Sequence, residues 1–262
     1  MIHPYRRIVL TGASGGIGRA LADALAAPGV SLLLMGRDAE RLDSTVYSAR
    51  AHGASVETAV VDSRDAEAMA AAILAFDDAG EIDLVIANAG VSAGLAPGRR
   101  PEAEGVSRRL AEVNYGGILN TVEPLLPRFV DRRRGRIVLI SSLAAIRPQP
   151  DLPSYSATKM AVRGYGIALR GWLRDYGVGV TMVYPGFVTS PMSTRHKGAK
   201  PFEISAEKAA RIIVRGLGKG RSVIAFPWLL ALGCYLNMLL PPWASDLTDA
   251  PFRAEVDPDD GR

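Results

Sequence analysis

A doubly wound α/β fold with a parallel sheet is what the sequence predicts, and three observations predict it. Short apolar, β-branched runs alternate with helix-length segments along most of the chain, the order that parallel βαβ units require. Runs such as IVL (8–10), SLLLM (31–35) and LVIAN (84–88) are apolar throughout rather than at alternate positions, which suits strands covered by helices on both faces. A glycine-rich turn, GASGG (12–16), follows the first run and precedes the helix-like RALADALA. Strand, turn and helix N-terminus together make an anion site, because backbone N–H groups and the helix dipole converge there.

Seven strand candidates follow in order: 7–10, 31–35, 56–61, 84–88, 136–140, 178–184 and 222–226. The segment AERLDSTVYSARAH (39–52) opens an apolar-periodic helix just after Asp38, whose short carboxylate suits an N-cap. Pro153 marks another helix start, just before Tyr155 and Lys159. No Ser/Pro tract or repeat divides the chain, so residues 1–226 read as one domain. Residues 227–262 read as an apolar extension with an acidic tail.

Composition narrows the function classes. The 262 residues are 48% hydrophobic and 22% charged, enough to pack a sizeable core. The net charge of +4 is spread over 31 basic and 27 acidic residues, and the cluster Arg132-Arg133-Arg134-Gly135-Arg136 reads as a solvated turn. No nucleic-acid partner is expected. The single cysteine, Cys234, cannot form an internal disulfide, and neither it nor His3, His52 or His196 has neighbours at metal-ligand spacing. No metal is expected. No signal-like stretch precedes the first strand, so a cytoplasmic setting is expected.

Two constellations carry chemistry. The spacing Gly12-x3-Gly16-x-Gly18 differs from both GxGxxG and GxxxxGK[ST], yet it sits at the first strand-to-helix junction, where a dinucleotide pyrophosphate is held. Downstream, Ser142 stands at the end of a buried strand, and Tyr155 and Lys159 are four apart on one helix face. To act as a base near neutral pH, a tyrosine must fall from about 10 to about 7, a change of roughly 4 kcal/mol. A lysine ammonium about 4 Å away supplies about that much at an effective dielectric of about 20. The plainer alternative is a packed ring beside a solvated amine.

The motifs TGASGGIG (11–18), ANAG (87–90), NYGG (114–117), Ser142, YSATK (155–159) and PGFVTS (185–190) occur in this order. Through them the sequence resembles the short-chain dehydrogenase/reductase family over residues 7–226. The resemblance implies a single Rossmann-like domain around a seven-stranded parallel sheet and interconversion of a carbonyl and a secondary alcohol with a nicotinamide nucleotide. It implies that Tyr155 is the general acid or base and that Ser142 hydrogen-bonds the carbonyl oxygen. Lys159 would hold the nicotinamide ribose and lower the Tyr155 pKa, and Asn114 would position a relaying water. Gly12, Ser14, Gly16, Ile17 and Gly18 would line the phosphates and ribose. Asp62 and Ser63 would approach the adenine, and Asn88 and Ala89 the adenine ribose. Pro185, Val188 and Ser190 join Tyr155 and Lys159 among the cofactor-binding residues, with Val188 and Ser190 at the carboxamide. Two positions depart from the family pattern: Ala87 stands where Asn is usual, and Ser190 where Thr is usual.

About 20 residues beyond the turn, an acidic residue favours NAD and a basic one accommodates a 2′-phosphate. Here Gly36-Arg37 makes NADP the expected cofactor, with Arg37 as phosphate ligand and NAD as the alternative. A non-catalytic NADP(H) sensor has no need for Ser142, Tyr155 and Lys159 together. A nucleotide-sugar epimerase needs a substrate lobe longer than the 36 residues after Phe226. The segment after Pro185 mixes Phe187, Met192 and Phe202 with Arg195, His196 and Lys197, which reads equally as an apolar pocket with a basic rim or as a mobile solvated lid; the unidentified substrate is expected to be partly apolar.

The stretch WLLALGCYLNMLLPPW (228–243) is too short to span a bilayer, which takes about 20 apolar residues. It is expected to close over an apolar substrate site and to contribute to a homodimer or homotetramer. The alternative is attachment to a membrane surface, as in a peripheral lipid or acyl ketone reductase. The acidic SDLTDAPFRAEVDPDDGR that follows argues against anionic lipid.

Overall fold

In the computed structural model, which describes residues 3–247 and 254–256, each of the seven strand candidates is a strand, with its ends moved by one residue at most. In chain order the strands are β1 (Arg7–Thr11), β2 (Ser31–Gly36), β3 (Ser55–Val60), β4 (Leu84–Ala87), β5 (Arg136–Ile140), β6 (Gly179–Pro185), β7 (His196–Gly198), β8 (Val223–Phe226) and β9 (Ala254–Val256). The main sheet has the order β3-β2-β1-β4-β5-β6-β8, with parallel pairing throughout. The helices are α1 (Gly16–Leu25), α2 (Ala39–Ala51), α3 (Ala66–Asp78), α4 (Val106–Ala111), α5 (Gly117–Val122), α6 (Leu126–Arg132), α7 (Pro153–Leu173), α8 (Pro191–Thr194), α9 (Ala206–Gly218), α10 (Trp228–Asn237) and α11 (Pro242–Leu247).

The unbroken apolar runs are explained by two cores, one on each face of the sheet. Ile8, Leu10, Leu32 and Leu34 point to a core closed by α1 and α9 through Leu21 and Ile213. Their neighbours Val9, Leu33 and Met35 point to the opposite core, closed by α3 and α7 through Ile73 and Leu169. Each fully buried side chain of this kind contributes about 1.5–3 kcal/mol, so these strands are stabilised from both sides.

Side chains cap the helix starts. The Asp38 carboxylate accepts from the Arg41 N–H at 3.0 Å, and the Asp65 carboxylate from the Ala68 N–H at 3.0 Å. After β1 the chain lays β2 and β3 to one side and then crosses to β4 on the other. This reversal opens a crevice beyond the carboxyl ends of β1 and β4, the place where open α/β sheets bind ligands.

The C-terminal region has features that no periodicity announces. β9 pairs antiparallel with β7, placing Val256 opposite His196. α10 turns Ala231 and Cys234 into the second core, whereas most of its large side chains face outward. Among the described residues no helix is long and apolar enough to cross a membrane. Most of the acidic tail, residues 248–253 and 257–262, lies outside the described residues.

Candidate active site

The glycine turn is shaped by close approach. Gly12 has φ +66°, and a Cβ there would lie 2.8 Å from the Asn88 amide nitrogen; a Cβ on Gly18 would lie 2.0 Å from the Gly12 carbonyl oxygen. Only glycine fits the first conformation without strain. Asn88 braces this turn: its amide donates to the carbonyls of Thr11 at 3.0 Å and Gly12 at 3.2 Å. The Thr11 hydroxyl accepts from the N–H groups of Asn88 at 3.0 Å and Ala89 at 3.2 Å. Both Asn88 amide hydrogen bonds go to the protein backbone, and the residue also borders the cavity beyond the turn.

A cavity of about 1010 Å³ runs from this turn across the strand ends. Gly12, Ser14, Gly16 and Ile17 line it from the turn, Ser63, Asn88 and Ala89 from the loops after β3 and β4, and Pro185, Val188 and Ser190 from the end of β6. Arg37 and Arg41 also line it. Arg41, in the first turn of α2 and four residues after Arg37, is a second cation that the sequence reading missed. Asp38 between them is the helix cap, and its carboxylate also meets the Arg41 Nε at 3.2 Å.

Three expected site residues stand outside the lining. Gly18 acts through the space it leaves for Gly12. Asp62 pairs with Arg64, whose Nη2 lies 2.8 Å away, and this hydrogen bond holds its carboxyl below the usual range. Arg37 lies 4.0 Å from the same carboxylate. Asn114 is fully buried within a π-helical turn, Glu112–Gly116, an irregularity frequent at functional sites. Its amide exchanges hydrogen bonds with the Val91 backbone and donates to the Thr158 hydroxyl at 3.1 Å. It reaches toward Lys159 only across Gly90, where a Cβ would lie 3.2 Å from Asn114 Oδ1 and 3.4 Å from Lys159 Nζ.

Ser142, Tyr155 and Lys159 converge on the cavity. Ser142 lies two residues past the end of β5 and caps a short 3₁₀ turn, its Oγ accepting from the Ala144 N–H at 3.1 Å. α7 begins at Pro153 and is fastened to β5 by two hydrogen bonds. The Ser141 hydroxyl donates to the Lys159 carbonyl at 2.9 Å, and Lys159 Nζ to the Ile140 carbonyl at 3.1 Å. Ser141 is a positioning residue whose only sequence signal is the doublet Ser141-Ser142.

Burial raises the Tyr155 pKa, and the hydrogen bond with Ser142 opposes the rise. The Lys159 ammonium sits 5.8 Å from the Tyr155 ring centroid and is turned to Ile140. Burial also lowers Lys159 to about 8. Below that pH the lysine is charged in both the folded and unfolded states, and the cost of burying the charge is fully present. The cost fades as pH rises from about 8 toward the unfolded value near 10.4. Wild-type stability measured against Lys159→Met is therefore expected to improve by about 2 kcal/mol between pH 7 and 9.5. Urea unfolding at the two pH values checks this, and a constant difference would refute it.

The cavity also reaches His196 and Cys234, which lie in the two segments that the sequence assigns to the surroundings of the substrate. Desolvation, then Lys200, lowers the His196 pKa, and burial raises the Cys234 thiol. Both are therefore neutral near pH 7. Leu143, Ala144, Leu152, Phe187, Met192 and Leu230 add an apolar wall. The volume stands at the upper end of the usual range for ligand sites, about 300–1,000 Å³, which leaves room for a nucleotide and a second molecule. The glycine cradle and the two arginines fit a phosphorylated nucleotide. Among the described residues no group of three or more His, Cys, Asp or Glu is placed to hold a metal.

Residues 6–200 match the family model described as short chain dehydrogenase. An uncharacterized oxidoreductase of Myxococcus xanthus is 37% identical over 238 residues, spanning 90% of this chain and 93% of its own. A short chain dehydrogenase from Mycobacterium paratuberculosis, solved bound to NAD, is 27% identical with a TM-score of 0.74, over 84% of this chain and 94% of that one. A short chain dehydrogenase/reductase from Burkholderia phymatum, at 24% identity, has the same fold over 99% of both chains with a TM-score of 0.81. The chain belongs to the short-chain dehydrogenase/reductase family and is an NAD(P)-dependent oxidoreductase of CH–OH and carbonyl groups.

Proposed function

We propose that this enzyme reduces the carbonyl of a partly apolar substrate and uses NADP(H) in preference to NAD(H). The observation that carries this reading is the convergence of Ser142, Tyr155 and Lys159 on a cavity whose glycine-turn side holds Arg37 and Arg41. When bound, the nicotinamide nucleotide supplies the hydride. Tyr155, kept protonated by burial, donates its phenolic proton to the carbonyl oxygen as that oxygen gains charge. The Ser142 hydroxyl donates a hydrogen bond to the same oxygen and stabilises the developing negative charge.

Lys159 holds the nicotinamide ribose, and Asn114 fixes the loop at Val91 and a water that returns a proton toward Lys159. Gly12, Ser14, Gly16 and Ile17 take the phosphates and ribose, with Gly18 acting through the turn. Ser63 faces the adenine with Asp62 behind it, and Ala89 and Asn88 border its ribose. Pro185, Val188 and Ser190 bound the carboxamide. The apolar wall around Leu143 and Phe187 supports a partly apolar substrate. We place the enzyme in the cytoplasm as a homodimer or homotetramer, supported by Met160, Ile167 and Trp172, which α7 exposes.

The test is NADPH and NADH consumption across a panel of ketones, acyl thioesters, steroids and keto-sugars. A wild-type enzyme equally efficient with both nucleotides would overturn the cofactor assignment. Arg37→Asp removes a cation and places a carboxylate where the 2′-phosphate would sit. The ratio of kcat/KM for NADPH over NADH is then expected to fall by at least about tenfold, or 1.4 kcal/mol.

A further inference from the structure

One wall of the reaction cavity comes from a helix that follows the last strand of the sheet. α10 turns Leu230 and Cys234 to the cavity, and residues four apart on a helix share a face. Cys234 and its neighbour Ala231 are also buried in the second core, so packing fixes this face in place.

Gly186 brings that face up to the reacting groups. A Cβ on Gly186 would lie 3.1 Å from Leu230 Cδ2, 3.1 Å from Pro227 Cδ and 3.3 Å from Leu143 Cδ1. The methyl groups of Leu230 and Leu143 therefore flank one point, and Leu143 directly follows Ser142 in the chain. One turn further along α10, Cys234 lies close enough to Arg147 for the guanidinium to oppose the rise in its thiol pKa. Arg147 Nη2 in turn donates to the Ser245 carbonyl of α11 at 3.4 Å. The two sides of the wall advance together, from Leu143 to Arg147 and from Leu230 to Cys234, over about 6 Å of helix. Leu143 and Leu230 make the inner end apolar, whereas Arg147 and Asp246 make the outer end polar.

We propose that Leu230 and Cys234 are specificity-determining residues, and that the enzyme takes a ketone with an unbranched apolar arm laid along α10 from Leu230 to Cys234. This inference rests on the carbonyl-reducing reading given above and deepens it. With the carbonyl oxygen at Ser142 and Tyr155, the carbons next to it meet Leu143 and Leu230, where a branch would press on both methyl groups. An unbranched arm passes between them and continues to gain apolar burial as far as Cys234. Beyond that point the lining is polar, and further length gains nothing from the wall.

The experiment uses the full chain with NADPH and straight-chain methyl ketones from butanone to dodecanone. The wild-type kcat/KM is expected to climb about fourfold per methylene and to level off once the arm has passed Cys234. Isopropyl and tert-butyl methyl ketones are expected to fall at least about tenfold below straight-chain ketones of the same carbon count. Leu230→Ala is expected to narrow that gap by about tenfold, and Cys234→Met to lower the ratio of kcat/KM for decanone over pentanone by about tenfold. NADPH affinity checks the fold of both variants. Calorimetry of the same ketones on the wild-type chain loaded with NADP+ needs no turnover, and affinity is expected to climb and level off in the same order. If no ketone is reduced while affinity follows arm length, the reductase reading fails and the α10 wall stands. Affinity that is absent or independent of arm length, equal use of branched and straight ketones, or unchanged ratios in folded variants would each overturn the proposal.

Discussion

Tyr155→Phe is expected to cut turnover by at least about a hundredfold, the usual worth of a positioned proton donor, or about 2.7 kcal/mol in the barrier. Only the phenolic oxygen is removed. The ring still lies beside Lys159, and the Ser141 and Lys159 hydrogen bonds that fasten α7 to β5 are untouched. Nucleotide affinity is therefore expected to stay close to wild type. Single-turnover kinetics with a nucleotide titration separates the two quantities. Wild-type turnover by the variant would remove Tyr155 from the mechanism, and a parallel collapse of nucleotide affinity would show that it acts through the fold.

Gly18→Val is expected to have an effect of similar size by a different route. A Cβ at residue 18 would lie 2.0 Å from the Gly12 carbonyl oxygen and 2.7 Å from the Asn88 amide. The first of these is backbone, so no side-chain rotation relieves the clash. The turn must shift, and with it the brace from Asn88 to Thr11 and Gly12. A stability loss of about 3 kcal/mol is expected, together with a loss of nucleotide affinity of about a hundredfold or more, because a displaced turn no longer presents its N–H groups to phosphate. Thermal melts with and without NADPH check both. A variant that melts and binds like wild type would show that the turn tolerates the displacement.

Much of the sheet was legible because the central strands β1, β2, β4, β5 and β6 are buried on both faces and so announce themselves as short apolar runs. Residues 8–10 and 31–35 could be placed within one residue for that reason. The nucleotide turn was legible because glycine is needed where a backbone must come close, and the pair Tyr155 and Lys159 because helical spacing puts them on one face. What escaped the sequence depends on which partner a polar group chooses in space. Asn88 serves the turn and Ser141 pins Lys159, both across long sequence separations that no local pattern encodes, while Asp62 turns to Arg64 only two residues on. The π turn around Asn114 is a single extra residue in a helical run, and periodicity absorbs it unnoticed. His196 reaches the cavity through a three-residue ribbon too short for alternation to register.

That ribbon also sets a timetable for biosynthesis. Proteins emerge from the ribosome N-terminus first, and structure forms as it emerges. The seven-stranded sheet has all its strands once Phe226 is out, before β9 (Ala254–Val256) emerges to pair with β7. A nascent chain therefore possesses its glycine turn, with Arg37 and Arg41, while the His196 side of the cavity still lacks its covering strand. Any nucleotide bound at that stage would stabilise the partly built fold by mass action before the β7–β9 ribbon forms.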